Sequence, residues 1–186
     1  MDRHLTDYGF MKSEEMGLLI KDQHIDHAFA SMLVRSIETL SCMLNVSGQY
    51  HVPTEHIAAL NERDYGDYSG KNKWDMEKIL GDDEFKKVRR DWDCAVPNGE
   101  TLKMVSARAV PFFLENILPK VTAGRTILIV AHGNSLRAIV KYLERISDED
   151  IADVEFPFGA VVTYKLDADG HMLQKEISQV ASSVNA

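Results

Sequence analysis

The residues best placed to do chemistry in this chain are His132, Gly133 and Asn134, because of what flanks them. Thr126, Ile127, Leu128, Ile129 and Val130 are β-branched or apolar without alternation, the pattern of a strand buried on both faces of a parallel sheet. Ala131 to Ser135 then turns the chain polar, and from Leu136 to Glu144 apolar residues return at helical spacing. A strand, tight turn and helix of this kind place the turn in the crevice beyond the carboxyl ends of the strands, where the N–H groups of a helix start attract an anion. A lone histidine in a turn is usually structural; the His-Gly-Asn-Ser run at a strand end argues for a ligand site. A second polar cluster, Leu60 to Gly70 (LNERDYGDYSG), is too rich in Gly, Asn and Asp for regular structure and brings together Glu62 and Arg63. Arg35 lies in the first turn of another helix, and Lys86, Lys87, Arg89 and Arg90 crowd a third. By residue type alone, these charges fit a solvated face as well as a site.

The elements that must position these groups follow from spacing and punctuation. Thr6 or Asp7 can cap a helix running to about Lys21, with Gly9 and Gly17 weakening it. Ile25 to Ala30 reads as a short strand, and Ser31 caps a helix carrying Leu33, Ile37, Leu40 and Leu44. A strand is expected within Gln49 to Thr54, followed by helices over Asn72–Leu80 and Asp82–Trp92. Thr101 starts a helix through Asn116 with a kink near Pro111. Ser147 and Asp150 resemble a capping box, and Ala160–Leu166 with His171–Ile177 reads as a hairpin turned at Asp167-Ala168-Asp169-Gly170.

Size and composition bound the function. A chain of 186 residues, 45% hydrophobic and 27% charged, fits one globular domain with a substantial core and no disordered segment. A net charge of −8 argues against a general nucleic-acid binder, while leaving room for a local cationic cluster around a small anion. Cys42 and Cys94 lack metal-ligand spacing and read as free thiols of a reducing compartment. No apolar run reaches membrane-spanning length and no signal peptide is recognisable, so a cytoplasmic location is expected.

Several ordered motifs then agree. LNERDYGDYSGKNK, the tandem arginines of VRRDWD, PNGETL, and VAHGNSLRAIVKYLE followed by SDEDI resemble the 2,3-bisphosphoglycerate-dependent phosphoglycerate mutases of the histidine phosphatase superfamily, from about Leu5 to Asp167. The resemblance implies a three-layer α/β/α sheet with helices on both faces. It implies Glu62 as proton donor and acceptor, His132 as the histidine that stabilises the transferring phosphoryl group, and Arg35 as a phosphate ligand. Arg63, Asp64, Tyr65, Lys73, Arg89, Arg90, Gly133 and Asn134 become substrate contacts, Lys73 and the tandem arginines gripping the far end of a phosphoglycerate. It also implies 2,3-bisphosphoglycerate as phosphoryl donor, no metal, small phosphoglycerates rather than nucleic acid or membrane as partners, and leaves a homo-oligomer open.

Two stretches depart from the pattern. Family members begin with a strand ending in Arg-His-Gly whose histidine carries the phosphoryl group; here His4 follows Arg3, but Leu5 stands in the glycine's place and LTDYG matches the segment downstream of that motif. The expectation is a single, N-terminally truncated domain over 1–176, lacking one central strand beside the one that ends at His132, with a polar tail over 177–186. In EFPFGAVVTYKLD, Phe158 and Ala160 replace an expected threonine and proline around Gly159. Phosphoryl transfer spreads negative charge over the equatorial oxygens, so it needs positioning, fixed positive charge, N–H donors and one carboxylate to trade a proton. Three classes stay open on the sequence: a mutase, a phosphatase of the same superfamily, and a non-catalytic relative that binds phosphometabolites or another protein.

Overall fold

A computed structural model describes residues 2–180 and, within them, all side chains except that of Lys73. Three parallel strands, β1 (His27–Ser31), β2 (Thr54–Ile57) and β3 (Ile127–Val130), form a sheet ordered β2-β1-β3. Because all three run the same way, Ser31, Ile57 and Val130 end on one edge, and the segments that follow them must meet there.

Period-two alternation along β1 sends its side chains to opposite faces. Phe29 enters a core with Leu102, Val105 and Ala109 of α5 (Leu102–Phe112) and Ala138 and Ile139 of α7 (Gly133–Glu144). Ala28 and Ala30 face a second core with Leu40, Met43 and Leu44 of α2 (Val34–Val46), joined by Ile20 after α1 (Asp7–Leu19). β3 divides likewise, Leu128 and Val130 to the second core, Ile127 and Ile129 against the first. Two-sided burial is why the Thr126–Val130 run is uniformly apolar, and it makes three layers with helices on both faces, as the sequence implied. Gly17 lets α1 approach α2: a Cβ there would lie 2.8 Å from the Met43 carbonyl oxygen.

Some boundaries moved. The expected strand at Gln49–Thr54 begins only at Thr54; Gln49 to Val52 is a turn, the Val52 N–H bonding the Gln49 carbonyl at 3.1 Å. The helix from Thr101 does not stop at Asn116. Pro111 offers no N–H, and the chain passes through a wide π turn at Phe113–Ile117 into α6 (Leu118–Thr122). α7 starts at Gly133, so His132 is its cap rather than a residue of a separate loop. Two short helices, α3 (Lys73–Leu80) and α4 (Asp82–Arg90), follow the polar loop. The Ser147 hydroxyl accepts the Asp150 N–H at 3.0 Å and donates to the Asp150 carboxylate, opening a turn of 3-10 helix at Asp150–Asp153.

The hairpin β4 (Ala160–Leu166) and β5 (Met172–Gln179) is a separate antiparallel sheet. β5 takes Ile177, Ser178 and Gln179 from the expected tail; residues 181–186 lie outside the described ones. Among the described residues β3 pairs with β1 alone, and its other edge meets no strand.

Candidate active site

Each strand end delivers one polar group. β1 ends at Ser31, whose hydroxyl lies 2.7 Å from His132 Nε2 and accepts the Leu33 N–H at 3.1 Å. Ser36 at the start of α2 donates to the Val130 carbonyl at 2.6 Å, tying the ends of β1 and β3 together. β2 runs through a 3-10 turn into Asn61 and Glu62, and the Asn61 side chain accepts the Met32 N–H at 2.9 Å. His132 is 8% exposed. Burial, with the nearby Arg35 cation, lowers its pKa to about 4, so the imidazole is neutral at pH 7 and serves as a hydrogen-bonding group rather than a cation.

Glu62 is held by one oxygen. Its Oε1 accepts the Arg63 N–H at 2.8 Å, the Asn134 N–H at 3.3 Å and the Asn134 side-chain amide at 3.2 Å. The same amide donates to the Tyr65 hydroxyl at 3.0 Å. Oε2 has no partner among the described residues, so the carboxylate is anchored on one side and open on the other. The first turn of α7 thus acts as an N–H donor to a carboxylate, the interaction its helix dipole favours.

The segment carrying Glu62 is lashed to the scaffold. Arg108 of α5 grips both Glu100 oxygens at 2.9 Å and donates to the carbonyls of Ala59, Asn61 and Glu62. Burial pushes the Glu100 carboxyl upward, but Arg108 and the Asp64 N–H outweigh it and hold the group below the ordinary carboxylate range. Gly66, with φ of 49°, meets the backbone of Pro97–Gly99 so closely that a Cβ would overlap it; a Cβ on Gly99 would in turn lie 2.7 Å from the Asp64 carbonyl.

Two expected substrate contacts are committed elsewhere. Arg63 is 2% exposed, and its guanidinium donates to the carbonyls of Glu100, Val88 and Cys94, so it braces the wall rather than reaching for a ligand. The Asp64 carboxylate accepts from the Gly66 N–H and the Ser69 hydroxyl and shapes the turn. The tandem arginines diverge: Arg89 lines the cavity and lies over the Phe85 ring, whereas Arg90 turns away to Glu155 at 2.6 Å. The Lys73 side chain lies outside the described ones.

The cavity holds about 590 Å³. Arg35, Glu62, Arg63, Asp64, Tyr65 and Arg89 line it, all residues the sequence implied; Arg3, Tyr68 and Lys71 line it too, without having been singled out. Asn134 is buried against Glu62, His132 is buried against Ser31, and Gly133 is exposed at the start of α7; none of the three lines this cavity. Sequence reasoning also missed Ser31, Arg108 and Arg137. Ser31 ends a strand on the same edge as His132, a signal that was available; the two arginines look like ordinary helix-face cations. Asp167, Asp169 and His171 bring ligand atoms within 4.8 Å of one another at the hairpin turn, but the Asp167 carboxylate there accepts the N–H groups of Asp169 and His171 and closes the turn.

Comparison with known proteins decides the family. The histidine phosphatase superfamily (branch 1) model matches residues 1–177. The chain belongs to that superfamily. A 2,3-bisphosphoglycerate-dependent phosphoglycerate mutase of Xanthobacter autotrophicus is 44% identical over 176 residues, 94% of this chain and 85% of the relative. Among solved structures, the alpha-ribazole phosphatase of Shigella flexneri superposes with a TM-score of 0.76 at 21% identity, covering 100% of this chain and 89% of that one. The phosphoglycerate mutase of Bacillus anthracis gives 0.68 at 21%, covering 96% and 82%. At that identity both report the fold alone, and a mutase and a phosphatase share it.

Proposed function

We propose that this histidine phosphatase superfamily chain handles phosphoglycerates, and that its site is built to interconvert 3-phosphoglycerate and 2-phosphoglycerate by phosphoryl transfer. The observation that carries the reading is the asymmetry of Glu62, with Oε1 bound by three N–H donors and Oε2 open on a wall of a cavity that also carries Arg35 and Arg89. A carboxylate pinned in this way exchanges a proton at one atom without swinging out of place. Oε2 takes the proton of the hydroxyl that accepts a phosphoryl group and returns it to the oxygen that loses one. Arg35 and Arg89 bind the anionic groups of the substrate, and the buried, neutral His132 exchanges its Nε2 contact with the Ser31 hydroxyl for a phosphoryl oxygen, a hydrogen bond instead of a full charge.

The donors lining this cavity, Arg3, Arg35, Lys71 and Arg89, suit a doubly phosphorylated glycerate, and Arg35 and Arg89 are the residues to hold it. When bound, 2,3-bisphosphoglycerate supplies the phosphoryl group. The other histidines have interactions of their own, His4 with Glu38, His24 with Asp26, His27 with Glu55, His51 against Tyr50, and His171 with Asp167, while His56 lies on the exposed β2. A strand ending in Arg-His-Gly would have an edge to pair with on β3, which among the described residues pairs with β1 alone. The test is calorimetry with 3-phosphoglycerate, with a coupled mutase assay on residues 1–186 and on a chain extended at its N-terminus by such a strand. Binding by both chains, with turnover and phosphohistidine only in the extended one, is expected. Equal turnover by the two chains, abolished by His132→Ala, would assign the carrier role to His132 instead.

A further inference from the structure

Arg137 stands one turn beyond the residues singled out in α7, and its burial needs a reason. It is 8% exposed and forms no salt bridge with any carboxylate among the described residues. Its Nε and Nη2 donate to the Val154 carbonyl at 3.3 and 3.0 Å, its Nη1 donates to Asn134 Oδ1 at 3.0 Å, and its guanidinium carbon lies 6.0 Å from the Phe156 ring centre. Burial and the nearby Arg90 lower its pKa, an effect that Tyr65 and the Glu62 carboxylate offset only in part, so this cation is held at a cost with no acid in direct contact. A purely packing role would be met more cheaply by an apolar side chain.

What the guanidinium gains is control of one amide. The two ends of an asparagine side chain are nearly the same size, so shape alone leaves its orientation undecided. Arg137 has only donors, and Glu62 Oε1 only accepts. With Oδ1 on Arg137, Nδ2 points to Glu62 and Tyr65; turned over, the amide would set donor against donor at Arg137 and acceptor against acceptor at Glu62. We propose that Arg137 is a positioning residue that locks the Asn134 amide with Nδ2 on Glu62 Oε1, so that Oε2 is the oxygen left to the substrate. The proposal deepens the reading of Glu62 as the proton-exchanging group and rests on it for its meaning, though not for its test.

The readout is the exchange of the Asn134 side-chain amide protons with solvent, together with the Glu62 carboxyl carbon resonance, both followed by NMR in the whole chain without ligand. Arg137→Met should speed that exchange about tenfold, the loss expected for one charge-assisted hydrogen bond, and should move the Glu62 resonance. Arg137→Lys, which keeps the charge but not the fork, should speed it about threefold. If Arg137→Met does not fold, Arg137→Lys carries the test. In an Asn134→Ala background, Arg137→Lys, which keeps the charge that Glu62 senses directly, should leave the Glu62 resonance where Asn134→Ala alone puts it. Unchanged amide exchange in the variants overturns the proposal, as does an undiminished effect on Glu62 when Asn134 is absent. Failure of 3-phosphoglycerate to bind would instead remove the task assigned to Glu62 and leave the Arg137–Asn134–Glu62 linkage standing.

Discussion

Two sides of the same cavity are built on opposite plans. The side that carries Glu62 is tied down from every direction, by Arg63 on three carbonyls, by Arg108 on three more and on Glu100, and by the backbone contact of Gly66 with Pro97–Gly99. The side formed by α3 and α4 is a pair of short helices with Trp74 and Ile79 exposed, joined to the neighbouring loop by Lys86–Asp153 and Arg90–Glu155 at the surface. A proton-exchanging carboxylate must hold its position within fractions of an ångström, whereas cations that bind a small anion act over longer distances. Arginines on the first side are therefore structural, whereas on the second Arg89 is available to ligand and Arg90 is held by Glu155.

The largest effect should come from untying the first side. Arg108→Met strands the Glu100 carboxylate and three carbonyl oxygens in a part-buried site and should cost about 3–5 kcal/mol in urea unfolding, the range for breaking a buried pair from one side. Arg63→Met should be comparably severe. If either variant kept full stability and merely bound 3-phosphoglycerate less well, the division between bracing and binding arginines would be wrong.

Next is the pH dependence set by His132. Its pKa is about 4 folded and about 6.5 unfolded, so as pH falls below 6.5 the unfolded chain takes up the proton first and unfolding is favoured. Stability should be independent of this group above pH 6.5 and decline towards pH 4, by up to about 3 kcal/mol. His4 works the other way: its bond to Glu38 raises its pKa, so it favours the folded state at acid pH, weakly because the pair is exposed. His132→Gln should flatten the acid limb of a denaturation series, and His4→Gln should steepen it slightly. An unchanged acid limb in His132→Gln would mean that the imidazole is not held neutral.

This contrast also explains what could be read from the chain before its structure. His132 was legible because a two-sided strand must be apolar and stops being so at one place. Glu62 and Arg63 were legible as a cluster, but adjacency suggested a shared task. Arg63's partners, the carbonyls of Val88, Cys94 and Glu100, lie 25 to 37 residues away and carry no side-chain signature. Arg108 and Arg137 were hidden for the same reason: their partners include backbone carbonyls and one amide, and nothing in residue type marks those. β2 was misplaced because Thr54–Ile57 is an edge strand with three exposed residues, too polar to show the periodicity that its neighbours display.

A smaller effect, on binding rather than folding, is expected at Arg89. It lines the cavity and its guanidinium stacks over Phe85, with no ion-pair partner among the described residues. Arg89→Ala should weaken 3-phosphoglycerate by roughly 1.5–3 kcal/mol, one charge-assisted hydrogen bond, with little change in urea unfolding. Salt should narrow the gap between wild type and variant, since the interaction is with a solvated anion. Equal affinity by calorimetry would take Arg89 out of the site.

The smallest effect separates Arg89 from its neighbour. In sequence the two arginines are equivalent, and a ligand-gripping role for one suggests the same for the other. Consecutive residues on a helix point about 100° apart, however, and here that rotation sends Arg90 to Glu155, whose side chain is 68% exposed. An ion pair in that setting contributes at most about 1 kcal/mol, and less as salt rises. Arg90→Ala should therefore cost less than about 1 kcal/mol in stability and leave 3-phosphoglycerate affinity within about twofold of wild type. Glu155→Ala offers the complementary test. If Arg90 is held away from the cavity only by that carboxylate, releasing it should strengthen 3-phosphoglycerate binding in the wild-type background and do nothing in Arg90→Ala. Loss of affinity in Arg90→Ala as large as in Arg89→Ala would show that the pair swings together onto the ligand, and that the rim of this cavity rearranges on binding in a way its braced side does not.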